Sequence, residues 1–212
     1  MRRTMVEISG RRLARALDAL AAADADLARA RELVGAPPPR ARPPGFGALL
    51  DIIIAQQVSV ASARAIRGRL VAAADPLTPA SFLALDDTAL RAVGFSRQKA
   101  AYGRGLAEML SDGRLDLDIV AGLEDEAAIA AITEVKGLGR WSAEVYLLFS
   151  LHRPDVMPAD DLALLVAAQR LKGLTDRPAP KSLRAMAESW RPWRSVAARL
   201  LWHYYAGAPV GE

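Results

Sequence analysis

Three observations predict an all-α fold. Apolar residues recur at three- and four-residue spacing, residues that favour helix N-caps repeatedly stand just ahead of such runs, and no segment alternates apolar and polar residues with period two. From Ser9 to Gly35 the apolar set is Leu13, Ala16, Leu17, Leu20, Leu27 and Leu33, which reads as two helices meeting near Asp24 and closing on Gly35 as the residue after the last turn. Residues 37–44 (PPPRARPP) cannot be helical and form a connector. After Gly45 the helical pattern resumes and breaks at Ser59, a natural N-cap. Residues 49–55 are apolar nearly all round, so this helix should be buried.

Further helices are expected after Thr78-Pro79, a cap followed by proline at the first helical position, and after Asp86, with a stop at Gly94. Ser96 opens a longer helix to about Asp112, and residues 124–134 form another short one. Residues 162–171, 180–190 and 192–207 complete the series, the last with Trp193, Val196, Leu200 and Tyr204 along one side. About a dozen helices result, with no internal repeat.

The chain has 212 residues, 52% of them hydrophobic and 25% charged, with a mean hydropathy of +0.11, enough to fill a substantial core as one compact unit over residues 1–212. Cysteine is absent, which excludes disulfides, thiolate nucleophiles and cysteine-held zinc or iron–sulfur centres; two histidines exclude His-rich metal sites. The basic N-terminus is not followed by an apolar targeting core, and apolar runs elsewhere fall short of a membrane span. A cytoplasmic, nucleoid-associated location is therefore expected. A net charge of +4, with Arg far outnumbering Lys, is compatible with a nucleic-acid partner without requiring one.

Residues 133–161 (TEVKGLGRWSAEVYLLFSLHRPDVMPADD) carry the chemistry. Gly137 and Gly139 bracket Leu138 ahead of a new helix, so bare backbone N–H groups can approach an anion at the helix start, where the dipole favours negative charge. A Pro-containing loop then leads to the paired carboxylates Asp160 and Asp161. A carboxylate at a helix start is commonly a cap, and capping is sufficient reason for one of the pair.

Helix, VKGLG and helix resemble the helix-hairpin-helix element, about residues 124–150 here. Followed by the Pro-containing loop and aspartate, they resemble the helix-hairpin-helix base-excision DNA glycosylase superfamily. Four blocks in order, IIAQQVSVASARAI, KGLGRWSAEVYLLF, RPDVMPADDLAL and WRPWRSVAARLLW, resemble its alkylation-repair branch, the 3-methyladenine DNA glycosylases of type II. The resemblance implies a two-lobed helical fold with the active-site cleft between lobes. About forty-five residues precede the first block and read as helical, so the compact form without the β-rich N-terminal lobe of larger bacterial relatives is expected.

The resemblance makes Asp161 the catalytic carboxylate and leaves Asp160 as the cap or a supporting charge. It nominates Trp141 and Trp202 as walls of the base pocket, with Tyr146, Phe46 and Leu162 as further lining. Leu162 stands where relatives often have an aromatic residue, which bears on substrate range. Gln56 and Gln57 match the wedge segment, Gln57 intercalating and Gln56 reaching toward neighbouring bases. Backbone binding falls to the N–H groups of Gly137 and Gly139, with Ser142 and Arg140. The family often holds a monovalent cation, Na+ or K+, on hairpin carbonyls, which would be those of Thr133, Val135 and Leu138. No other cofactor is expected. Lyase-type relatives carry a nucleophilic lysine in the position of Trp141, so release of the base without Schiff-base chemistry is implied.

The implied activity is monofunctional excision of alkylated purines, of the 3-methyladenine and 7-methylguanine type, from double-stranded DNA by a monomer. Two alternatives stand beside it. One is a non-catalytic helix-hairpin-helix protein that binds distorted DNA; the other is an enzyme of the same fold acting mainly on deaminated bases such as hypoxanthine.

Overall fold

The computed structural model describes residues 8–207. Among them are thirteen α-helices, one 3-10 helix and no strand, as the periodicity predicts. α1 (Gly10–Ala23) buries Leu13, Ala16, Leu17 and Leu20, and α2 (Ala25–Val34) buries Leu27 and Ala30. Asp24 both ends α1 and caps α2, its carboxylate accepting the N–H groups of Asp26 and Leu27. Gly35 at φ +74° closes α2. Leu33 keeps the spacing but not the burial: it is 55% exposed, because it lies off the Leu27–Ala30 stripe.

In α3 (Phe46–Ala55) seven of ten residues are buried, among them Leu49, Leu50 and Ile53 with no measurable exposure. Burying each contributes roughly 1.5–3 kcal/mol. Ser59 caps α4 (Val60–Ala73), Thr78 caps α5 (Pro79–Leu83) through a reciprocal pair with Ser81, Asp86 caps α6 (Asp87–Val93) and Ser96 caps α7 (Arg97–Ser111). α8 (Leu117–Gly122), capped by Asp116, is not among the helices expected from the sequence. α9 (Asp125–Thr133), α10 (Arg140–Phe149) and α11 (Leu162–Leu171) follow. The stretch expected as one helix over 180–190 is α12 (Pro180–Met186) followed by the 3-10 helix Ala187–Trp190, and α13 (Arg194–Gly207) completes the order.

Two compact units divide the chain. The first, Arg42–Tyr146, carries α3 to α9 and the start of α10. Its core contains an aromatic cluster in which Phe82 meets Phe46 and Phe95 at centroid distances of 5.8 and 5.7 Å. The second takes the remaining described residues, 8–41 and 147–207. There Lys172 Nζ donates to Asp24 at 2.8 Å and to Asp26 at 3.2 Å, while the Trp190 indole donates to Asp24 at 2.8 Å. Arg199 donates to the carbonyls of Ile8 and Pro38, and His203 Nε2 to that of Val34. These long-range bonds fix the flanks of α13. No described helix is long and apolar enough to cross a membrane.

Candidate functional site

The hairpin between α9 and α10 is built on buried apolar residues. Val135 and Leu138 are 0% and 3% exposed, and the Leu138 N–H donates to the Val135 carbonyl at 3.0 Å, closing the turn. That carbonyl retains a second lone pair, so Val135 still fits a cation-binding set with Thr133 and Leu138. The N–H groups of Gly137 and Gly139 make no hydrogen bond to any described residue, which suits them to an anionic ligand.

The fold requires glycine at only one of the two positions. Gly137 has φ +94°, and a Cβ there would lie 2.3 Å from Cδ2 of Tyr102. Gly139 lies outside the left-handed region, with nothing within 4 Å of its Cβ position. The Gly137 carbonyl accepts from Gln56 Nε2 at 2.8 Å. Gln56 is therefore turned toward the hairpin. Gln57 is exposed and holds φ +55°, unusual for a residue with a side chain, and Val58 and Val60 beside it are 38% and 76% exposed. This exposed apolar flank was missed in the sequence reading, as were Gln98, Lys99 and Tyr102 on α7; only the fold reveals them.

Of the two side chains expected at the backbone contact, one is buried and the other is engaged in ion pairs. Ser142 is 3% exposed, inside the first turn of α10. Arg140 donates from Nε to Glu144 at 2.9 Å and from both terminal nitrogens to Glu126 at 2.9 and 2.5 Å. The bond to Glu126 raises the guanidinium pKa further, against a smaller opposing effect of burial, and Glu144 adds to the rise. Arg140 thus ties α9 to α10 with its charge balanced by two carboxylates.

In the second unit the paired carboxylates are separated in role. Asp160 is exposed and forms an ion pair with Arg184, which also donates to the Met157 carbonyl at 3.1 Å. Asp161 is half-buried and caps α11: its Oδ1 accepts the Leu164 N–H at 3.1 Å and the Trp202 indole N–H at 3.0 Å. The cap is therefore Asp161, not Asp160. Asp160 is drawn away because Arg184 offers it a full charge. Trp202 stacks on Phe149 with centroids 5.5 Å apart and planes inclined by 28°, and the Arg40 guanidinium sits 5.2 Å from the Phe149 centroid. A cavity of about 210 Å³ adjoins this stack, lined by Pro37, Pro38, Arg40, Phe149, Trp202 and His203, so the proline connector forms part of its wall.

The remaining pocket candidates divide. Leu162 is 59% exposed beside Asp161. Phe46 and Tyr146 are core residues of the first unit, 7% and 1% exposed, and the Tyr146 hydroxyl accepts from the Gly45 N–H at 3.1 Å. Burial raises the Tyr146 pKa. Both rings lie buried in the first unit. Trp141, in the first turn of α10, is half-buried.

The model of the HhH-GPD superfamily base excision DNA repair proteins matches residues 50–194. The chain belongs to that superfamily. Among HhH-GPD relatives, it is 34% identical over 158 residues to DNA-3-methyladenine glycosylase 1 of Schizosaccharomyces pombe, covering 73% of this chain and 69% of the relative. It is 30% identical over 165 residues to a putative DNA-3-methyladenine glycosylase of Bacillus subtilis, covering 74% of this chain but spanning only 58% of that relative. A solved structure of the Schizosaccharomyces pombe 3-methyladenine DNA glycosylase in complex with abasic DNA superposes with a TM-score of 0.82 at 31% identity, covering 89% of this chain and 95% of that one. The hairpin, the carboxylate pair and most of the aromatic residues named above lie inside the matched HhH-GPD segment; Trp202 lies just beyond it.

Proposed function

We propose that this chain is a monofunctional DNA glycosylase that flips alkylated purines out of duplex DNA and hydrolyses their N-glycosidic bond, leaving an abasic site. The observation that carries this reading is the placement of Asp161: a half-buried carboxylate, oriented by its own helix and by the Trp202 indole, next to an aromatic stack. Similarity to proteins named 3-methyladenine glycosylases supports the substrate class. Extruding the nucleotide costs roughly a few kcal/mol, least for damaged bases. Gln57 fills the gap left in the stack, and the hairpin N–H groups hold the backbone.

As the C1′–N bond breaks, its electron pair goes to the base and positive charge develops on the sugar. The Asp161 carboxylate stabilises that charge. An alkylated purine is already cationic, so it leaves as a neutral base without prior protonation, and no second acid is needed. Water supplies the new C1′–O bond and gives up a proton, which Asp161 is placed to accept. Trp141 stands where a lyase would present a lysine amine, so hydrolysis ends the reaction.

Asp161→Asn tests this directly. Asparagine caps a helix about as well as aspartate and can still accept from Trp202, so the fold is retained while the charge is lost. Release of 3-methyladenine and 7-methylguanine from methylated DNA should disappear in single-turnover assays, with abasic-DNA binding preserved. Unchanged release would refute the assignment. Wild-type release of hypoxanthine in preference to alkylated purines would move the substrate to deaminated bases, and no release of any base would leave a DNA-binding protein.

A further inference from the structure

The wedge segment, the hairpin and α7 form a closed ring of contacts within the first unit. Gln56 Nε2 donates to the Gly137 carbonyl at 2.8 Å, joining the residue beside the wedge to the tip of the hairpin. Gly137 lies directly against the Tyr102 ring, close enough that a Cβ would fall 2.3 to 2.8 Å from three of its carbons, which joins the hairpin to α7. The Tyr102 hydroxyl accepts from Gln98 Nε2 at 2.7 Å, one turn earlier on the same helix, and so fixes the ring. Lys99 then donates from Nζ to the Ile54 carbonyl at 2.7 Å, satisfying a backbone acceptor at the end of α3 and returning the ring to the helix that Gln56 and Gln57 directly follow. A groove of about 400 Å³ opens beside these contacts, bordered by Gln57, Val58, Ser96, Gln98, Lys99 and Gly137.

We propose that Gln56 and Tyr102 are positioning residues that lock the hairpin to the wedge, so that gripping the DNA backbone at Gly137 and Gly139 sets where Gln57 enters the base stack. Gln56 does this by holding the Gly137 peptide and does not read neighbouring bases. Three features support the lock. The amide of Gln56 is used on a backbone carbonyl 81 residues away. Gln57, the next residue, is exposed and stands in the left-handed region at φ +55°, so the chain turns directly after that contact. The Tyr102 ring packs directly against Gly137, so the hairpin cannot approach α7 more closely at that point. A wedge mounted this way needs no separate search once the backbone is bound, because its position comes with the grip. The proposal rests on the glycosylase reading, in which Gln57 is the wedge.

The test compares Gln56→Ala, Gln57→Ala, Tyr102→Ala and the Gln56→Ala/Tyr102→Ala pair with the wild-type chain. Affinity for undamaged duplex is read by fluorescence anisotropy, extrusion by 2-aminopurine placed beside a methylated purine, and base release in a single turnover. A lock predicts that Gln56→Ala lowers both extrusion and undamaged-duplex affinity, by about tenfold and about threefold, to the same extent whatever base pairs flank the lesion. Gln57→Ala should lower extrusion alone. The double variant should be no worse than the poorer single variant, since both residues act through Gly137, and Tyr102→Phe, which keeps the ring, should restore what Tyr102→Ala loses.

Loss in Gln56→Ala that changes with the flanking base pair would make Gln56 a base reader and overturn the proposal, as would losses that multiply in the double variant or an unchanged duplex affinity. Absence of base release by the wild-type chain would instead overturn the glycosylase reading. The anisotropy comparison of Gln56→Ala with Gln57→Ala would still decide whether the hairpin is braced.

Discussion

Replacing each glycine of the hairpin by alanine separates what the fold requires from what a bound phosphate requires. At Gly137 the backbone stands at φ +94°, which costs a residue with a Cβ about 1–2 kcal/mol. The added methyl would also lie 2.3 Å from Tyr102 Cδ2 and 2.4 Å from Cγ, atoms of a ring that cannot swing aside without losing its bond to Gln98. Overpacking of this kind costs about 1–3 kcal/mol. Gly137→Ala should therefore destabilise the chain by about 2–5 kcal/mol, a fall in Tm of at least about 4 °C for a protein of this size. At Gly139 the calculation gives nothing, since the φ is ordinary and the Cβ position is open.

Gly139→Ala should unfold with the wild type. If the hairpin N–H groups approach a phosphate, though, its methyl intrudes on the ligand, and DNA affinity should fall by about tenfold, or about 1.4 kcal/mol. The pair of measurements is thermal unfolding and duplex binding at fixed salt. A Gly137→Ala chain as stable as the wild type would refute the packing argument; a Gly139→Ala chain with undiminished DNA affinity would refute close approach of the backbone at that glycine.

Three further outcomes follow from single contacts. Trp202→Phe keeps a ring on Phe149 but removes the N–H donated to Asp161; a hydrogen bond to a charged group contributes about 1.5–3 kcal/mol, so base release should slow by roughly 10- to 150-fold in single turnovers with DNA binding little changed, and a loss under twofold would rule out an orienting role. Arg140→Ala should lower urea stability by about 1–3 kcal/mol, because Glu144 is 2% exposed and loses the charged bond from Arg140, while the salt dependence of DNA binding stays the same; a shallower salt slope with unchanged stability would return Arg140 to the DNA contact. Burial opposes the charged form of Asp24, yet hydrogen bonds from Lys172, Trp190 and the Asp26 N–H outweigh it and hold its pKa below the ordinary value. A lowered carboxylate pKa contributes stability that is present above the unfolded-state value and lost as pH falls through the folded one, so wild-type stability should drop below about pH 4. Asp24→Asn should be less stable at neutral pH and show a shallower acid limb in urea unfolding; parallel curves would remove Asp24 from the account.

What could be read in the sequence is what is decided within a few residues. The caps at Ser59, Thr78, Asp86 and Ser96 and the stop at Gly94 lie where the chain predicts them, because a cap needs only a side chain and the next turn's N–H groups. What the sequence does not show depends on partners distant along the chain. Gln56 is turned inward by a carbonyl on the hairpin, and Arg140 is neutralised in part by Glu126 of the preceding helix. Phe46 and Tyr146 look like pocket walls beside other matching residues, but the first packs on Phe82 and the second reaches back to Gly45. No spacing rule reveals that Arg40, in a proline connector, sits over Phe149, nor that Tyr102 closes against a glycine of the hairpin.

In the proposed reading, Asp161 carries a structural role and a chemical one together. Capping alone would explain an aspartate ahead of α11, and the Leu164 N–H is indeed capped. Capping does not explain why the Trp202 indole, 41 residues further on, is aimed at the same oxygen. Nor does it explain why the neighbouring carboxylate is taken up by Arg184 at the surface, which spares Asp161 a second negative charge competing for the same contacts. A helix start needs one acceptor and is indifferent to its charge, whereas a developing cation needs the charge in a fixed place. The bond from Trp202 fixes that place from outside the helix, and this is why Asp161→Asn, which leaves the cap and removes the charge, separates the two roles.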